Sequence, residues 1–116
     1  MWSKLDDALI DHRKIFKAGR LIGKNGPAIA LGFYTVGILW CNKHLSDGFL
    51  SEETILGFSH VDQPSSVADA LVKAELLDKC PGGFQIHDFD EYNPSAKHVR
   101  QKRKEDRLRK QRNGHA

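Results

Sequence analysis

From Asn25 to Asn42 the sequence reads NGPAIALGFYTVGILWCN, without a single charge. Such a run has to be withdrawn from water, and the rest of the chain has to cover it. A membrane span would need roughly 20 apolar residues. This run is interrupted by Gly32 and Gly37 and bounded by Asn at both ends, so the expectation is a buried central helix. Asn25-Gly26-Pro27 gives it a start, because proline in the first turn loses no hydrogen bond. Ile29, Phe33, Val36 and Trp40 recur at helical spacing, and Leu31, Tyr34, Ile38 and Leu45 form a second stripe. A helix apolar on two sides belongs at the centre of a small core. With 116 residues the chain can build one such core, which argues against a two-domain enzyme.

The flanking segments read as elements that cover this helix. Asp6 or Asp7 can cap a helix through roughly Phe16, with Leu9, Ile10 and Phe16 as its apolar residues, and GKNG breaks the chain after Arg20. Asp47-Gly48 ends the central helix, and Phe49-Leu50 is a short extended piece. Ser51 is a good N-cap for SEETILGF, whose Glu52 and Glu53 stand where a helix start favours negative charge. Pro64 opens a helix over 64–77, with Val67, Ala70, Leu71 and Ala74 on one face and Ser65, Ser66, Asp69 and Lys73 outward. Two short helices joined by a tight turn match a helix-turn-helix. Asp78-Lys79-Cys80, the turn Pro81-Gly82-Gly83 and the alternating Phe84-Gln85-Ile86-His87 then read as a β-hairpin. The expected fold is mainly α with a small β-hairpin. Its element order is that of a winged helix-turn-helix, with a basic helix at the C-terminus.

The opening WSKLDDALIDH, the central LGFYTVGILWCNKHLSDGFL, the following ADALVKAELL and the closing GGFQIHDFDEYNPS before a basic tail carry a resemblance. Together they resemble the winged-helix proteins of bacteriophages and phage-derived islands, including the N-terminal domains of phage replisome organisers. The resemblance covers most of residues 1–95. It implies DNA binding in replication or transcription control of a mobile element. Replisome organisers continue into a second domain, whereas this sequence ends after its tail, so a stand-alone DNA-binding protein is the expectation.

Net charge is +3, but it is unevenly placed. Residues 1–94, expected to form a winged-helix domain with an N-terminal helical extension, hold 9 Lys+Arg against 13 Asp+Glu, while residues 95–116, expected as a basic helix or tail, hold 9 against 2. A basic tail on an acidic body suits a polyanionic partner, expected here to be double-stranded DNA. A solvated, solubilising tail is the plain alternative. The candidate contacts in the tail are Lys97, Arg100, Lys102, Arg103, Lys104, Arg107, Arg109, Lys110 and Arg112, expected to wrap around most of a helix. Only Ala96, Val99 and Leu108 are apolar there, so the tail should either project or order on binding. On the helix after Pro64 the candidates are Gln63, Ser65, Ser66, Asp69 and Lys73, and on the hairpin Lys79. Ser65 and Ser66 with the free N–H groups of the helix start suit one phosphate. That helix is weakly basic for a groove reader, with Asp62, Asp69 and Glu75 against its lysine. The tail and the early Arg13, Lys14, Lys17, Arg20 and Lys24 should therefore supply most of the affinity. The same weakness leaves a second reading open, a winged helix that docks a protein partner.

Catalysis has no support from motifs: GxSxG, Walker and HExxH patterns are absent. GRLIGKNG lacks the phosphate-loop pattern and reads as an interhelical loop. His87, Asp88, Asp90 and Glu91 fit no zinc spacing, and strand alternation would set His87 opposite Asp88. Cys41 and Cys80 form no CxxC pair and read as small buried hydrophobes. No metal, cofactor or small-molecule substrate is expected. The acidic residues of MWSKLDDALIDH do not suit a secretory signal, so the expected location is cytoplasmic, without membrane insertion.

Overall fold

The computed structural model describes residues 12–58, 60–89 and 96–113. In chain order the elements are α1 (Arg13–Ile22), α2 (Gly26–His44), β1 (Phe49–Ser51), α3 (Glu52–Leu56), α4 (Pro64–Lys73), β2 (Leu77–Cys80), β3 (Gly83–Ile86) and α5 (Ala96–Asn113). The protein is mainly helical, with one small antiparallel sheet in the order β1-β3-β2.

The uncharged run forms α2, as expected, with Pro27 in its first turn. Asn25 precedes it in the left-handed conformation, φ 58°, which Asn tolerates better than most residues. The helix stops at His44, where Leu45 turns left-handed (φ 52°) and the Ser46 N–H reaches back to the Cys41 carbonyl at 3.1 Å. Its buried face differs from the two stripes of large residues. It runs through Ala30, Phe33, Gly37, Ile38 and Cys41, while Ile29, Leu31, Tyr34, Val36 and Trp40 are half-buried and Leu39 is 49% exposed. Small residues define this face because neighbours come close. A methyl group on Gly37 would stand 3.2 Å from Leu50 Cδ1. No helix among the described residues is long and apolar enough to cross a membrane.

α1 departs from its expected bounds. It begins at Arg13, with His12 extended (φ -67°, ψ 124°) and its side chain accepting from the Lys14 N–H at 3.1 Å. A continuous helix from Asp6 or Asp7 through Phe16 is therefore excluded, since an extended residue interrupts it. Residues 1–11, with Leu9 and Ile10, lie outside the described residues. The helix continues past Phe16 to Ile22, and Ile15, Ala18 and Gly19 are buried. Gly23 ends it at φ +109°, a conformation open to glycine.

Ser51 caps α3 as expected, accepting from the Thr54 N–H at 3.1 Å. α4 starts at Pro64 and buries Val67, Ala68, Ala70 and Leu71, but it ends at Lys73 and not at residue 77. Glu75 is left-handed (φ 64°), the Leu76 N–H bonds the Leu71 carbonyl at 2.9 Å and the Glu75 N–H bonds the Val72 carbonyl at 3.0 Å. This is the paired-bond helix stop of a Schellman motif, with Leu71 and Leu76 buried together. The chain then enters β2, where Leu77 faces Ile86 of β3. Gly83 belongs to β3, so the turn is Pro81-Gly82, with Gly82 at φ +84° as a turn of this kind requires after proline. β1 completes the sheet by pairing Leu50 with Phe84.

Candidate nucleic-acid interface

α4 carries the outward group proposed from its periodicity. Ser65, Ser66, Asp69 and Lys73 are all exposed, opposite the buried Val67, Ala70, Leu71 and Ala74. Gln63 stands at the N-cap, exposed, and its side chain makes no capping bond.

α1 lies beside α4 and runs antiparallel to it. At one end, Lys14 Nζ donates to the carbonyl of Glu75, just past the end of α4, at 3.3 Å. At the other, Leu21, Ile22 and Lys24 line a groove together with Gln63, Ser66 and Val67 of the α4 start. α1 is fastened to α2 by glycines: a methyl on Gly26 would collide with the Gly19 carbonyl, and one on Gly19 would meet the Pro27 ring and backbone. Arg13, Lys17, Arg20 and Lys24 are exposed and Lys14 is half-buried. These are the early cations named from the sequence. Residues 12–46 contain no Asp or Glu, so the acidic character of the body lies in the segments on either side of them.

Lys79 is exposed on β2, on the same strand face as Leu77 and beside its cross-strand partner Phe84. The hairpin tip near it is not a free loop. The Gly82 carbonyl accepts from the Glu52 N–H at 3.1 Å, and β1 accompanies β3 as far as Ser51 opposite Gly83. The backbone of the tip is thus partly committed inside the fold.

In α5 the candidates Arg100, Lys102, Arg103, Lys104, Arg107, Arg109 and Lys110 are exposed, and Lys97 and Arg112 belong to the same helix. Val99, in the first turns, is buried at 8% exposure. Taken together the cations wrap around most of the helix, and five of them are grouped more closely. Arg100, Arg103, Lys104, Arg107 and Lys110 recur at spacings of three and four, share one face, and line one shallow groove. Asp106 borders this groove and holds Arg109 at 3.2 Å, and Glu105 accepts from Gln101 at 3.4 Å. Both carboxylates thus have partners within the helix, and the five-cation face stays positive.

At the end of β3 the chain turns and strand alternation fails. Asp88 is left-handed (φ 55°), which brings it next to His87. His87 Nδ1 lies 2.9 Å from Asp78 Oδ2 and Nε2 lies 3.3 Å from Asp88 Oδ2. The hydrogen bond to Asp78 raises the imidazole pKa above its ordinary value of 6.5, with further support from the charges of Asp78 and Asp88. Asp90 and Glu91 lie outside the described residues. No group of three or more His, Cys, Asp or Glu side chains able to hold a metal occurs among the described residues. Cys41 is buried, its Sγ donates to the Phe49 carbonyl at 3.6 Å, and burial pushes its pKa up to about 11. No protein-family model, curated protein or solved structure matches the chain.

Proposed function

We propose that the protein is a non-enzymatic winged-helix protein that binds double-stranded DNA, with α4 set against a groove and α5 anchoring the complex electrostatically. The observation that carries this reading is the order α2, β1, α3, α4, β2, β3 with β1 paired to β3. In a winged helix that order makes α4 the groove-facing helix, and the exposed Ser65, Ser66, Asp69 and Lys73 are its readers. The cationic face of α5 supports the electrostatic half, because phosphates are bound by aligned Lys and Arg at little cost in geometry. Replication or transcription control of a mobile element is the role that the sequence resemblance implies.

The test is a fluorescence-anisotropy titration of the full chain with a duplex between about 50 and 200 mM salt. If about six phosphates are neutralised, log K falls with log salt at a slope near -5. Arg103→Gln with Arg107→Gln should make that slope shallower by about two. Ser66→Ala and Lys73→Ala should weaken discrimination between duplex sequences more than overall affinity. Absent or salt-insensitive binding refutes the proposal and favours the protein-docking reading, which rests on the carboxylate of Asp69 in the middle of α4's exposed face.

A further inference from the structure

The exposed faces of α1 and α4 form one surface. Ile15, Ala18 and Ile22 turn the same side of α1 to the core, with Lys14 and Leu21 on the flank towards α4. α4 turns Val67, Ala70, Leu71 and Ala74 to that core and reaches α1 along the flank of Ser66. Each helix therefore meets the other on its side, and the outward directions of both point the same way. On this surface the carboxylates fall on the α4 side, which also carries Lys73. The α1 side holds Lys17, Arg20 and Lys24 without any carboxylate, whereas Asp62 and Asp69 belong to α4 and its approach.

We infer that α1 is a second DNA-contacting helix, lying over one phosphate strand of a duplex whose major groove holds α4, with Lys17 and Lys24 as the principal phosphate contacts. The inference rests on the duplex-binding reading and adds a geometry to it. Packed helices have axes about 8–10 Å apart. The major groove is about 12 Å wide, so its edges lie about 6 Å to either side of a helix centred in it, and the phosphate strand that forms an edge is within side-chain reach of a helix packed alongside. A neighbour packed beside α4 with a parallel outward face falls over that strand. The position of the carboxylates suits the same placement. A carboxylate on the groove-facing helix can accept from a cytosine amino group, while it would be repelled at the phosphates that the lysines meet. Lys17 lies one turn from Lys14 and one turn from Leu21, on the α1 flank nearest α4, and Lys24 lines the groove shared with Ser66. Lys14 itself is held at the Glu75 carbonyl, where the basic strip meets the end of α4.

This geometry demands two strands at a fixed separation, which separates α1 from α5 experimentally. Salt titrations of the full chain are made with a labelled duplex and with one of its strands alone. The double variant Lys17→Gln with Lys24→Gln should make the duplex slope shallower by about two and leave any single-strand slope unchanged. Lys17→Arg with Lys24→Arg should restore the duplex slope, and thermal unfolding of each variant should match the parent because both side chains are exposed. An unchanged duplex slope in the double glutamine variant, or an equal loss on the single strand, overturns the inference. If the unsubstituted chain binds no duplex, the underlying reading fails. If it binds and only the α5 substitutions alter its slope, the reading survives and the role of α1 does not.

Discussion

Replacing Gly26 with alanine puts a methyl group where the carbonyl oxygen of Gly19 already lies. The obstacle is backbone on both sides, since the reciprocal methyl on Gly19 would meet Pro27 Cα and Cδ at 2.7 Å each. Rotamer changes cannot relieve such a contact. α1 has to back away from α2 by roughly an ångström or more, taking Ala18 and Ile15, now 0% and 2% exposed, out of close packing. Overpacking typically costs about 1–3 kcal/mol and exceeds that where nothing yields. Alanine recovers about 0.5–1 kcal/mol over glycine in a helix, leaving a net loss of about 2–3 kcal/mol. In a domain of this size that lowers the melting temperature by about 10–20 °C. Gly32 supplies the internal comparison. It lies in the same helix, and a methyl there meets nothing within 4 Å. Gly32→Ala should therefore stabilise by about 0.5–1 kcal/mol. Thermal and urea unfolding followed by circular dichroism measures both. Gly26→Ala within about 0.5 kcal/mol of the parent, or Gly32→Ala as the more damaging of the two, would refute the account of how α1 is fastened.

Three further outcomes are expected. The pKa of His87 is raised in the folded state, so its pairing stabilises fully below the unfolded value near 6.5 and is lost as pH rises through the higher folded value. The stability difference between the parent and His87→Ala should shrink with rising pH and stay under about 1 kcal/mol, because the groups are exposed; a difference that grows with pH contradicts the pairing. Native protein should present Cys80 but not the buried Cys41 to a thiol reagent at mildly alkaline pH, and both after denaturation; two reacting thiols in the native state would contradict the packing around Cys41. Ser51→Ala removes the cap of α3 and should cost about 1 kcal/mol in urea unfolding, whereas Ser51→Asp should retain most of the stability.

Where a local rule controlled the chain, the sequence was legible. Proline and the Ser51 hydroxyl announced the starts of α2, α4 and α3, and Pro81-Gly82 announced the hairpin turn. The end of α4 was not legible, because its stop uses a left-handed Glu75 in place of glycine, and VKAELL continues a helical pattern on paper. The pairing of β1 with β3 joins Leu50 to Phe84 across two helices, which three residues of extended propensity cannot disclose. The buried face of α2 also escaped, since side-chain size points to Trp40 and Val36, while close packing against α1 and β1 selects Ala30 and Gly37. For the site, α4's outward residues followed directly from periodicity. The face on α5 was present at spacings of three and four but obscured by counting every cation. The partnership of α1 with α4 needed coordinates, because the two helices are separated in sequence by α2, β1 and α3.

The central claim is that α4, α1 and α5 together meet duplex DNA. Amide chemical-shift mapping of the isotope-labelled full chain during titration with a duplex tests it most directly. The expected perturbations gather at residues 63–73, at 17–24 and along Arg100 to Lys110, with the α2 surface around Leu39 and the sheet end at Asp78 and His87 unaffected. Perturbations confined to Leu39 or to the sheet end, or none at all at saturating duplex, would contradict the account.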